Sequence, residues 1–121
     1  MSDQINFDAL KQKIRDFSKA RDWEEHHTPK NVLMAMSVEV GELLEIYQWA
    51  SEAQSEKLHL DPDTKSAIAQ EVADVLLYLT CFADLADINL NEAVTDKMKR
   101  NAIKYPAVKH PAIESLAEKT G

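Results

Sequence analysis

Two groups of acids stand out in this chain. Glu39, Glu42 and Glu45 follow one another at steps of three, and Glu71 is followed at the same step by Asp74. A helix advances about 100° per residue, so a step of three brings a side chain back to within about 60° of the one before. On a helix, Glu39, Glu42 and Glu45 therefore occupy one arc, within or beside Ala35, Val38, Ile46 and Trp49. Ser37, Gly41 and Gln48 take the opposite, narrow face. Glu71 and Asp74 share their side with Tyr78, Cys81, Phe82 and Leu85. No Lys or Arg occurs between Asn31 and Glu56, nor between Ser66 and Asp96. The Glu–Lys pairs four residues apart that support solvated helices are thus missing from both stretches. Carboxylates crowded among apolar neighbours cost several kcal/mol per ion unless something compensates them. They must take up a proton, find a basic group elsewhere, or hold a metal ion. All the candidates are oxygen ligands and no histidine lies within either pair, which favours Mg²⁺, with Mn²⁺ a possible substitute, over Zn²⁺. Mg²⁺ is commonly bound by a few carboxylates together with substrate phosphates. The chemistry expected is metal-assisted hydrolysis of a polyphosphate, in which the ion offsets phosphate charge and activates a water.

Four helices must position these groups. Leu10, Ile14 and Phe17 recur at helical spacing in the first, from about Asn6 to Ala20. A polar connection from Arg21 to Thr28 carries Trp23, His26 and His27. Thr28-Pro29 is a cap followed by a proline suited to the first helical position, and it opens the second helix, which runs to about Trp49. Ser51 to Leu60 is polar and reads as a linker. Asp61-Pro62 repeats the start signal, and the third helix runs to about Ala86. Asn89 or Asn91 can cap a fourth, which ends before Pro106. The polar tail from Ala107 to Gly121 gives weak signals. With only two glycines, Gly41 and Gly121, the many tight turns of a sheet protein are out of reach. The expectation is one all-α domain over residues 1–121, a four-helix bundle whose second and third helices form an acidic metal site.

A net charge of −7 argues against a polymeric nucleic acid partner, which requires clustered cations. The single cysteine, Cys81, cannot form an internal disulfide, and the N-terminus lacks a basic-then-apolar leader. No apolar run is read as approaching the ~20 residues of a membrane span. A cytoplasmic location without membrane association is expected.

These residues resemble a known family. Glu39-Val40-Gly41-Glu42 and, after a spacer, Glu71-Val72-Ala73-Asp74 are similar to the Glu-x-x-Glu…Glu-x-x-Asp signature of the MazG-like all-α nucleotide pyrophosphohydrolases. Trp23-Glu24-Glu25-His26-His27-Thr28-Pro29-Lys30-Asn31 and Gln48-Trp49 look like the dCTP pyrophosphatase branch and its short bacterial relatives. Asp74-Val75-Leu76-Leu77-Tyr78-Leu79 and Lys97…Asn101…Lys104-Tyr105-Pro106 fit as well, so the likeness covers about residues 7–107. It implies cleavage of a nucleoside triphosphate, dCTP or a related deoxynucleotide, between the α and β phosphates. It also implies Mg²⁺ on Glu39, Glu42, Glu71 and Asp74, and a homo-oligomer, a tetramer or a dimer. Glu45 joins the set as a group that orients water.

For the substrate, Trp23, Trp49 and Tyr78 are candidates for the base pocket, since stacking on aromatics contributes ~1–3 kcal/mol per base. Tyr78 stands about one turn beyond Asp74 and would crowd a ribose 2′-hydroxyl. His27 matches a histidine of the related branch and can donate to a phosphate or base oxygen. Lys97, Arg100, Asn101 and Lys104 share a helix face; Lys97, Asn101 and Lys104 match the family pattern for holding the triphosphate. The competing readings are a same-fold hydrolase of dUTP or phosphoribosyl-ATP and a non-catalytic acidic interaction module. A di-iron helical protein is a third, although Asp74 stands where its Glu-x-x-His pairs need histidine.

Overall fold

The computed structural model describes residues 6–108. They form five α-helices: α1 (Phe7–Ala20), α2 (Pro29–Tyr47), α3 (Glu52–Ser55), α4 (Pro62–Leu85) and α5 (Leu90–Lys104). Single 3-10 turns lie at Glu24–His26 and Leu58–Leu60. No strand occurs among the described residues. The starts follow from local chemistry. Asn6 Oδ1 accepts the Ala9 amide at 2.7 Å, and Thr28 Oγ1 accepts the Asn31 amide at 3.2 Å. Asp61 Oδ2 accepts both the amide and the hydroxyl of Thr64, at 2.9 and 2.8 Å. Pro29 and Pro62 each open a helix, where the missing N–H has no partner to lose. The segment expected to be an open linker holds α3, a single turn closed by reciprocal Ser51 and Gln54 caps. Ser-x-x-Gln is the sequence signature of that capping box.

α1 and α4 end alike. Asp22 and Asp87 adopt φ of 56° and 55°, the left-handed conformation that closes a Schellman motif. At α1, Trp23 N–H donates to the Ser18 carbonyl at 3.0 Å and Asp22 N–H to that of Lys19 at 3.2 Å. At α4, Ile88 N–H donates to Ala83 at 2.8 Å and Asp87 N–H to Asp84 at 3.1 Å. Aspartate stands where glycine is commonest, because its short polar side chain tolerates this region better than most.

The chain divides into two compact units, with the boundary between Leu90 and Asn91. The first carries α1 to α4; the second is built on α5. In the first, α2 lies antiparallel along α4: His27, just before α2, meets Cys81 near the end of α4 (Nδ1 to Sγ 3.9 Å), while Glu39 and Glu42 meet Glu71. α1 packs on α4 as well, and Arg15 Nε donates to Asp84 Oδ2 at 2.7 Å. Leu10, Val32, Cys81 and Ala83 are buried. Many apolar side chains remain exposed, among them Met34, Val38, Leu44 and Val72. α4 meets by length and composition the requirements for crossing a membrane, which the reading of short apolar runs did not anticipate. In this fold it is instead the helix against which α1 and α2 both pack.

Candidate functional site

α2 and α4 bring acids from the two sequence pairs face to face. Carboxylate oxygens of Glu39, Glu42 and Glu71 all lie within 4.8 Å of one another. Glu39 and Glu71 are half-buried and Glu42 is exposed. Glu71 Oε2 is buried and meets no hydrogen-bond partner. Ion pairs among the described residues include Arg15–Asp84 and Arg100–Asp96, and His26 Nε2 lies 3.4 Å from Glu25 Oε1. Asp84 thus finds its cation on α1, whereas among the described residues no Lys or Arg forms an ion pair with Glu39, Glu42 or Glu71. The carboxyls respond to each other: hydrogen bonding to Glu71, then burial, holds Glu39 above the ordinary carboxylate range. Hydrogen bonding to Glu39, then its charge, raises Glu42.

An orphaned, buried carboxylate oxygen beside two further carboxylates, none of them in an ion pair among the described residues, is the donor set a hard divalent ion requires. Glu39, Glu42 and Glu71 fit such an ion. Asp74 lies close by, since its charge contributes to raising both Glu39 and Tyr78. Glu45 is exposed and lies outside the trio, although its charge also raises Glu42.

A cavity of about 460 Å³ begins at these acids, lined there by Glu39, Asp74 and Tyr78. That size suits a small organic ligand. Its other walls include Trp23, His27 and Phe17. The Schellman turn places Trp23 there. It carries the indole back over α1, where it meets Phe17 edge-on, ring centroids 5.6 Å apart at 65°. The Arg21 guanidinium caps the Phe17 ring at 3.4 Å from its centroid. His27 stands 6.1 Å from Trp23, ring to ring. Burial, followed by the charges of Glu39 and Asp74, raises the Tyr78 phenol, so it stays protonated and able to donate.

Three of the aromatic and histidine candidates, Trp23, His27 and Tyr78, therefore meet at one cavity with Glu39 and Asp74. Trp49 does not line it and is 88% exposed just beyond the end of α2. Lys97, Asn101 and Lys104 share a face of α5, with Asn101 half-buried and both lysines exposed. Arg100 is engaged on the same helix, its Nε donating to Asp96 Oδ2 at 2.7 Å. Phe17, Lys13, Ser18 and Cys81 also line the cavity and were not singled out for it from sequence. The signal for Phe17 was its distance of six residues from Trp23 across a non-glycine helix end. Lys13 and Ser18 gave none.

Comparison with known proteins agrees with the family resemblance and the all-helical fold. The profile of the MazG-like family matches residues 34–118. Over 91 residues the chain is 41% identical to dCTP pyrophosphatase 1 of Rattus norvegicus, covering 75% of this chain and 54% of that protein. The Homo sapiens dCTP pyrophosphatase 1 is 39% identical over 92 residues, 76% of this chain and 54% of its own length. The chain thus spans about half the length of the curated relatives it matches. The crystal structure of a pyrophosphatase from Archaeoglobus fulgidus superposes with a TM-score of 0.78 at 39% identity, covering 88% of this chain and 98% of that one.

Proposed function

The chain belongs to the MazG-like family, and from that premise we propose that it is a Mg²⁺-dependent nucleoside triphosphate pyrophosphohydrolase. Its products are the monophosphate and pyrophosphate, and its substrate is dCTP or a related deoxynucleotide. One observation carries the reading. Three uncompensated carboxylates from α2 and α4 converge within 4.8 Å, and a cavity walled by Trp23, His27 and Tyr78 starts beside them.

In this reading Glu39, Glu42, Glu71 and Asp74 hold the metal. When bound, Mg²⁺ supplies positive charge against the phosphates and lowers the pKa of a water. The protein's own groups do the rest. Trp23 and Phe17 offer aromatic surface to the base. Tyr78, one turn beyond Asp74 on α4 and lining the cavity, contacts the sugar in this reading and disfavours a 2′-hydroxyl by crowding. Lys97, Asn101 and Lys104 are the candidates for binding the outgoing phosphates, and Glu45 for orienting water. The many exposed apolar side chains, Trp49 included, support a homo-oligomer, because a second copy would remove them from water.

Pyrophosphate release across the common nucleoside triphosphates with Mg²⁺, repeated with Glu42→Gln, tests the proposal. Activity in the parent with loss in the variant supports it. Release from no nucleotide would favour the non-catalytic interaction module. Cleavage confined to dUTP or phosphoribosyl-ATP would assign the chain to another branch of the same chemistry.

A further inference from the structure

We propose that Ser18 and Cys81 fix His27 in the tautomer that carries its proton on Nε2, making that nitrogen the donor that recognises a carbonyl oxygen on the substrate base. The assignment rests on the pyrophosphohydrolase reading and adds to it the group that selects the base. Ser18 is 5% exposed and Cys81 8%. Both converge on the same ring nitrogen, with Ser18 Oγ 3.4 Å and Cys81 Sγ 3.9 Å from His27 Nδ1. A buried hydroxyl must place its hydrogen on some acceptor, and no other hydrogen bond of Ser18 Oγ occurs among the described residues. Burial, followed by the charge of Asp84, raises the Cys81 thiol. The sulfur therefore keeps its hydrogen and is a weak donor rather than a thiolate acceptor. Two donors facing one nitrogen call for its lone pair. In the neutral ring the proton then resides on Nε2, which has no hydrogen-bond partner among the described residues.

His27 is half-buried and lines the cavity beside Trp23. Much of the wall around it is aromatic or aliphatic, including Leu10, Ile14 and Phe17. In such a pocket a small number of placed polar groups decide orientation and specificity. A stacked base must satisfy the Nε2–H or leave it unpaired, a cost that shows as lost affinity. Cytosine, uracil, thymine and guanine each carry a carbonyl oxygen, and adenine carries none. Deoxyadenosine triphosphate is therefore the disfavoured substrate. Ser18 acts through His27 and is a positioning residue.

Two measurements on the full chain decide it. Long-range ¹H–¹⁵N correlation of histidine-labelled protein, with the His27 signals assigned by their loss in His27→Gln, should show the Nε2–H form in the parent and a shift toward mixed tautomers in Ser18→Ala. The ratio of kcat/KM for dCTP over dATP should be roughly ten-fold or more in the parent, the effect of one unpaired buried donor. It should fall several-fold in Ser18→Ala and recover in Ser18→Thr, which restores the hydroxyl. A parent ring protonated on Nδ1 alone overturns the proposal, as does an active enzyme whose base ratio ignores Ser18→Ala. A parent that releases pyrophosphate from no nucleotide overturns the function itself, and the base-reading role with it.

Discussion

Trp23 rests edge-on against Phe17, ring centroids 5.6 Å apart, because α1 stops in a left-handed turn at Asp22. The contact links a backbone conformation to a wall of the candidate site. Replacing Asp22 by Gly keeps the turn and relieves the residue of a sparsely populated conformation. Asp22→Val cannot adopt it without strain of about 1–3 kcal/mol. Thermal melts should rank Gly at or above the parent and Val clearly below. The Val variant should also show altered Trp23 fluorescence and weaker nucleotide binding. Equal melting temperatures and spectra for both variants would separate Trp23's position from the turn.

Glu71 presents the orphaned oxygen, so Glu71→Gln should split stability from function. Removing one of three crowded carboxylates relieves repulsion in the metal-free protein and should preserve or raise its melting temperature. The same change should lower pyrophosphate release by about 100-fold or more and abolish the thermal gain that Mg²⁺ gives the parent. A variant that still responds to Mg²⁺ like the parent would place the ion elsewhere.

The acid cluster also sets a pH dependence. Glu39 and Glu42 are raised above the ordinary carboxylate range in the fold. Their contribution is present below the unfolded value and lost as pH rises through the raised one. Asp84 is lowered by Arg15 and behaves oppositely, losing its contribution only below the ordinary range. From pH 5 to pH 8 the metal-free protein should therefore lose the stability due to Glu39 and Glu42 while that of Asp84 stays constant. Calorimetric scans with EDTA or excess Mg²⁺ should show a larger metal-induced gain at pH 8 than at pH 5. A gain independent of pH would remove these carboxyls from metal binding.

The proposed function gives Tyr78 the contact with the sugar. Tyr78→Ala should narrow the kcat/KM gap between dCTP and CTP by about an order of magnitude, mainly through improved use of CTP. A parent enzyme that does not separate the two nucleotides would show that the phenol crowds nothing.

Lys97 is the leading candidate for a phosphate contact on α5. Lys97→Ala should raise KM for triphosphate about ten-fold, the effect expected for one charge-assisted hydrogen bond, with a smaller change in kcat. An unchanged KM would remove Lys97 from phosphate binding.

Much of this molecule could be read from its residues because short-range chemistry controls it. Thr28-Pro29 and Asp61-Pro62 open helices where their caps require. The absence of Lys and Arg from Asn31 to Glu56 and from Ser66 to Asp96 left the acids no local partner, and among the described residues none of the trio enters an ion pair. The unread parts depend on distant or backbone-level events. Asp22 and Asp87 in left-handed conformation carry no glycine to betray them. The cation for Asp84 comes from Arg15, 69 residues away, beyond any periodicity argument. Ser18 lies on α1 with no sequence neighbour to mark it, and the return of His27 to that face gives it a partner. The one-turn helix Glu52–Ser55 was legible in Ser51 and Gln54, but a polar stretch obscured it.

α4 runs without a break from the acid pair to the residues beside His27. At 1.5 Å per residue, Asp74 and Cys81 are about 10 Å apart along its axis. On the proposed reading this rod works as a gauge. The interval between the bond to be cut and the ring to be gripped is fixed by helical pitch rather than by a pliable loop. Nucleotides of the wrong reach would then be refused by length, before any contact with the base is tested.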